Sequence, residues 1–192
     1  MTPSSGHARS LAAAAECAGC RVLARSKLDM GDGSSMPVLK LECGDNVTAI
    51  RFLNRAAIND TSDPEVRDLA LRLLAAYPDH LPQAVHAFVK LCVRFVREKH
   101  ETFQHAKYTL RRRAGDCDDH ARCVVALILA AGGKARIVGV PNSKGKVAHV
   151  APQAFDDDAW RWAETTVDAK YDEHPRIAAR RLGLHRRRAD MA

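Results

Sequence analysis

Three residues in this chain have the types and order a thiol-based acyl-transfer catalyst needs. Cys117 follows a Gly115-Asp116 turn and leads into an apolar run, Cys123 to Ala131, that stops at Gly132-Gly133. The run is long enough for about three helical turns, and a glycine pair ends a helix. Cys117 is therefore expected at a helix N-terminus, where unpaired N–H groups and the helix dipole favour a thiolate over a thiol. A nucleophilic thiol needs a general base within reach, and that base needs an orienting partner. His149 lies in the strand-like segment Val147-Ala148-His149-Val150, and Glu164 in a second one, Trp160 to Val167. Alternation puts Val147, His149 and Ala151 on one face, and Trp160, Trp162, Glu164 and Thr166 on another. If the two segments pair, Glu164 lies near His149 and holds its imidazole, with Trp162 screening their bond from water. Gln104 and Tyr108, in the polar stretch before the turn, are candidate donors to an oxyanion beside the Cys117 N–H. Asp116 and Asp119 are expected to serve the turn and the first helical turn. Singly, a strand histidine is more often a core residue and a cysteine more often inert. The agreement of the three placements is what points to chemistry.

The elements that must position these residues follow from local pattern. Residues 1–36 are rich in Ser, Gly and Ala and are expected to be largely disordered. The lone Cys17-Ala-Gly-Cys20 has no further ligands at metal-site spacing, so no metal and no cofactor are expected. Pro37 to Cys43 alternates as a strand, and residues 47–53 are expected to return as a second one across Gly44-Asp45-Asn46. Asp63-Pro64 opens a helix closed by Tyr77-Pro78. Leu81-Pro82 opens another, carrying Val85, Phe88, Val89, Cys92, Phe95 and Val96 on one face to about Lys99. Residues 100–114 read as a polar loop. Ala135 to Val140 begins an antiparallel meander that the two segments above complete, and Pro175 starts a short basic helix whose Ile177, Leu182 and Leu184 are expected to dock. The fold class is α+β, a nucleophile helix on an antiparallel sheet. The expected organisation is an extension (1–36), a domain (37–174) and a basic tail (175–192).

Composition narrows the function. The 192 residues are 46% hydrophobic, enough for a core, and carry a net charge of +7. Residues 175–192 hold six arginines against one acid, Asp190. The basic balance is thus a property of the tail, and nucleic-acid binding is expected only through it. Six scattered cysteines do not suggest a disulfide scaffold, and no apolar stretch is long enough for a membrane span. No leader is read at the start, and the expected setting is a reducing cytoplasm.

The boxes Gly115-Asp-Cys-Asp-Asp-His-Ala121, Ala135-Arg-Ile-Val-Gly139, Ala148-His-Val150 and Trp162-Ala-Glu-Thr-Thr166 resemble the core of the transglutaminase-like superfamily. The resemblance covers residues 82–168, and more loosely 37–185. It implies a papain-like α+β fold and a Cys-His-Asp triad, with Cys117 as nucleophile, His149 as base and Glu164 where the family usually has Asp. The compact form, paired Asp118-Asp119 and basic tail after His174-Pro175 are similar to members encoded in bacteriophage and prophage genomes. That similarity implies a host-cytoplasmic location and phage structural proteins as partners. The expected activity is attack on a protein or peptide amide through a thioester, peptidase or amidase action ahead of cross-linking. The alternative is a non-catalytic structural or interaction module on the same fold, serving phage particle assembly.

Overall fold

The computed structural model describes residues 13–16, 18–29, 35–97 and 103–184. Its centre is helix α5 (Cys117–Ala130), buried from Ala121 to Ile128. Around it pack α1 (Asn46–Asp60), α2 (Pro64–Ala76), α3 (Leu81–Cys92) and α4 (Ala106–Arg112), and across it lies a sheet of β5 (Ala135–Pro141), β6 (Val147–Asp156) and β7 (Ala159–Trp162). The sheet is antiparallel throughout, in the order β5-β6-β7. The fold is α+β, with the helix that Cys117 begins laid on the sheet as the sequence implies. No described helix is long and apolar enough to cross a membrane.

Several elements differ from the sequence reading. Residues 47–53 are not a strand but the first half of α1: Asp45 accepts the Thr48 N–H as its N-cap, and Phe52, Leu53, Ala56 and Ala57 make a buried stripe at helical spacing. The strand over 37–43 exists as part of β2 (Ser35–Cys43), but its partner is upstream. Within the stretch expected to be disordered, β1 (Cys20–Asp29) pairs antiparallel with β2. Cys20 and Cys43 are opposite each other in that register and form a disulfide, so the expectation of unbridged cysteines is corrected. A hairpin, not local spacing, brings these sulfurs together. Cys17 lies outside the described residues.

The second helix of the 64–99 region stops early. α3 ends at Cys92, and the chain extends through β3 (Arg94–Phe95) to pair in parallel with β4 (Ala114–Gly115). Phe95, expected on a buried helix face, is 46% exposed. The polar loop over 100–114 contains α4. In α6 (Pro175–Arg181) it is Pro175 and Ala178 that are buried, whereas Ile177, Leu182 and Leu184 are exposed, contrary to the docking expected of them.

What ties the helices together is a charge in the core. Arg122, at mid-length in α5 and wholly buried, meets Asp60 at the end of α1 through Nε and Nη2, each at 2.7 Å. The same carboxylate accepts the Ala106 N–H at 2.9 Å, and His105 Nε2 lies 3.0 Å from it. His105 Nδ1 accepts the Lys107 N–H as the cap of α4, so Nε2 carries the proton that goes to Asp60. One carboxylate thereby fixes α1, α4 and α5 against each other. On the far side of α1, Asn54 bonds both the N–H and the C=O of Ile137 at 2.9 Å, satisfying an edge of β5.

Removing one member of a buried ion pair leaves an uncompensated charge, at a cost of about 3–5 kcal/mol. Arg122→Met is expected to lose that much in urea unfolding, and Asp60→Asn/Arg122→Met together less than the sum of the two single changes.

Candidate active site

The turn before Cys117 is built by Gly115 and a reciprocal cap. Asp116 is the N-cap of α5 and accepts the Asp118 N–H, while Asp119 reaches back to the Asp116 N–H. A Cβ on Gly115 would fall 2.5 Å from the Asp119 Cβ, so only glycine permits this close return. Asp119 also accepts the backbone N–H and the side-chain amide of Gln104, at 2.9 and 2.5 Å. The two aspartates thus serve the helix start, as the sequence suggests. Cys117 is the first residue of the helix, half-buried, and outside the disulfide with Cys92 and Cys123.

The second half of the site comes from the sheet. His149 pairs with Val140 on β5, and its Nε2 lies 2.5 Å from Glu164 Oε2. The β6–β7 register, Gln153 opposite Trp162, carried on would set Glu164 opposite Ala151, a diagonal neighbour of His149 on the same face. The expected strand to Val167 ends at Trp162, and Glu164 reaches the imidazole from beyond it. Its other oxygen accepts the Thr166 N–H at 2.6 Å and the Thr166 hydroxyl at 2.7 Å. Burial alone would push the Glu164 carboxyl up. The His149 bond and charge, with the two Thr166 bonds, outweigh it and hold the group below its ordinary range. With Glu164 ionised, Nε2 donates to it and Nδ1 is the nitrogen left to exchange a proton with a thiol.

Two histidines absent from the sequence reading hold this acid from behind. His86 Nε2 donates to the Glu164 carbonyl at 2.9 Å, and His120 Nδ1 shares a hydrogen bond with the Thr165 hydroxyl at 3.0 Å. Both are buried, and burial lowers both below the ordinary histidine value, which favours the neutral rings. His120 follows Cys117 by three residues, so the two share one side of α5. The first turn of the nucleophile helix is therefore docked on the residue next to Glu164. His120 stands in the cysteine box, but only the fold shows that its ring meets Thr165.

The remaining candidates are placed as follows. Gln104 is fully buried beside the start of α5. Tyr108 is buried in α4, its ring edge-on to His105. Trp162 ends β7 with its ring 4.7 Å from that of His174. Asp116, Cys117 and Asp118 offer one donor atom each within 4.8 Å of one another, the set that could hold a metal ion.

A carboxyl held low in the fold stabilises it above the unfolded value, and that contribution is lost as pH falls through the lower folded value. Glu164→Gln is expected to be less stable than the parent above pH 4.5. In urea titrations at stepped pH the gap should narrow steadily in more acid solution.

The model of the transglutaminase-like superfamily matches residues 68–169, just over half of the chain. No curated protein matches the sequence. Among solved structures the chain is similar to a candidate cysteine protease from Cytophaga hutchinsonii, at 15% identity and a TM-score of 0.45, over 77% of this chain and 66% of that one. It is also similar to a TGase, at 12% identity and a TM-score of 0.43, over 94% of this chain and 53% of that one. The chain spans just under two thirds of the first structure's length and about half of the second's. The span matched by the family model holds Cys117, His149 and Glu164, and the protein belongs to the transglutaminase-like superfamily.

Proposed function

We propose that this protein is a thiol enzyme that cleaves amide bonds in peptides or proteins through a thioester, with Cys117 as nucleophile, His149 as general base and acid, and Glu164 as the acid that orients it. The observation that carries this reading is the 2.5 Å contact of His149 Nε2 with a carboxylate wholly buried beside the helix that Cys117 begins. Cys117 Sγ attacks the amide carbonyl carbon, and its proton passes to His149 Nδ1. The oxyanion that forms is met by the Cys117 N–H at the open start of α5. Of the two side-chain donors considered, neither is retained: the Gln104 amide is buried and donates to Asp119, and Tyr108 is buried in α4 beside His105. His149 returns the proton to the leaving nitrogen as the C–N bond breaks. Water, deprotonated by the same nitrogen, then attacks the thioester, which releases a carboxylic acid and regenerates the thiol. Trp162 is retained as the cover of the His149–Glu164 bond.

Hydrolysis is preferred to cross-linking because small members of this superfamily are commonly hydrolytic and the sequence has no recognisable calcium site. The second reading, a non-catalytic module in phage particle assembly, draws on the glutamate at 164 and the arginine-rich tail. The cytoplasmic setting stays part of this proposal, beside a Cys20–Cys43 bridge of the kind that cytosolic thiol buffers reduce.

Alkylation separates the first two readings without a known substrate. Iodoacetamide at pH 7 is expected to modify Cys117 at least tenfold faster than Cys92, although Cys92 is exposed. Cys123 should be the slowest, because burial pushes its thiol far up. His149→Ala should bring Cys117 down to the rate of Cys92, and Cys117→Ala should abolish amide cleavage. A Cys117 no faster than Cys92 in the parent protein would favour the non-catalytic module.

A further inference from the structure

Three helices turn matching faces onto one cavity. Glu65 and Leu69 on α2, Phe88 and Cys92 on α3, and Lys107 and Arg111 on α4 line it. Each pair is four residues apart, and so lies on one side of its helix. Leu110 and Arg113 complete the lining, and the cavity measures about 260 Å³. None of Cys117, His149 and Glu164 lines it. Leu69, Phe88 and Leu110 are half-buried and pack against the hydrophobic core, so each of the three helices gives the cavity an apolar wall. Sites for drug-sized ligands run to ~300–1,000 Å³. This one is the size for a small molecule, not for a folded partner.

The charges at the rim are unequal. Lys107 Nζ is 3.0 Å from Asp63 Oδ2. Arg111 holds the Glu65 carboxylate through Nε at 2.8 Å and through Nη2. Acids at the start of α2 thus neutralise these two cations. Arg113 is exposed, and among the described residues no acid is ion-paired with it. It stands at the C-cap of α4 with a left-handed backbone, φ 52°. Glycine or asparagine is the ordinary residue for that conformation, so the arginine carries a conformational cost while it keeps a guanidinium at the cavity. One guanidinium fork suits one carboxylate, which it meets with two parallel N–H···O bonds, whereas a phosphate dianion would leave a charge unmatched.

We propose that this cavity binds a small amphipathic carboxylate: its apolar stem lies against Leu69, Phe88 and Leu110, and its carboxylate is held by the Arg113 fork. Burial of apolar surface takes the stem, and the head neutralises the rim cation that lacks an acid. The site stands whether or not Cys117 is a nucleophile. Cys92 is a free, exposed thiol in the cavity wall, so an occupant covers it and the thiol reports the binding.

Three probes read this out: 3-phenylpropionate, the neutral 3-phenylpropan-1-ol with the same stem, and acetate, the head without a stem. Equilibrium dialysis should find one 3-phenylpropionate per chain, with the alcohol and acetate each bound about tenfold more weakly or worse. At about ten times its Kd, 3-phenylpropionate should slow iodoacetamide alkylation of Cys92 about tenfold and leave the rate at Cys117 unchanged. Arg113→Gly suits the left-handed backbone and removes the fork, and should weaken binding about tenfold. Arg67→Gln removes an exposed cation of α2 outside the cavity and should not. Equal binding of the alcohol, or parent-like binding by Arg113→Gly, overturns the carboxylate assignment. Shielding of Cys117 in place of Cys92 puts the ligand elsewhere and overturns the cavity as its site. Absence of saturable 3-phenylpropionate binding overturns the proposal outright.

Discussion

One buried carboxylate carries much of the geometry. Asp60 accepts from Arg122, His105 and the Ala106 N–H, and so joins three helices at a point no water reaches. Desolvating a guanidinium and a carboxylate is expensive, and it is offset only when the geometry is good and the remaining hydrogen bonds are made. That requirement leaves α5 little freedom to slide or rotate. Cys117 stands at the N-terminus of this helix, five residues before Arg122, so the core ion pair and the start of α5 share one rigid body. Gln104, one residue before His105, extends the same constraint to the helix start through Asp119.

The acid is fixed with similar redundancy. His149 and Thr166 hold the two oxygens of Glu164, His86 holds its carbonyl, and His120 holds the neighbouring threonine. These groups come from α3, α5, β6 and the segment after β7. Three histidines around one short segment divide the work by environment. Two are buried and favoured neutral, acting as hydrogen-bonding props, and the third is a quarter exposed and has a nitrogen to spare.

The mistaken elements share a cause. Residues 47–53 have an apolar pattern too short to separate a strand from half a helix, and the stripe is clear only when Ala56 and Ala57 are counted. Phe95 and Val96 continue a helical stripe in the sequence, but backbone bonds to β4 draw them into an extended chain. Cys20 and Cys43 are 23 residues apart, and the Asp32-Gly33 turn signal between them is lost in a stretch whose composition reads as disordered. In each case the local window is too short: the helix needs Ala56 and Ala57 to be counted, while Phe95, Val96 and the bridged cysteines turn on partners distant in the chain, which local propensity does not see.

From its sequence alone this protein is legible as a helix-start cysteine, a strand histidine and a following acid, on an α+β frame with a capped nucleophile turn. These are local or periodic features: turn chemistry, capping and alternation are encoded within a few residues. Only the tertiary structure decided which buried polar groups meet. The Asp60–Arg122 pair and the hydrogen bonds of His86 and His120 to the Glu164 segment all join segments far apart in the chain. What each contributes depends on how completely it is desolvated and how well its partners satisfy it, and both depend on what the rest of the fold packs around it.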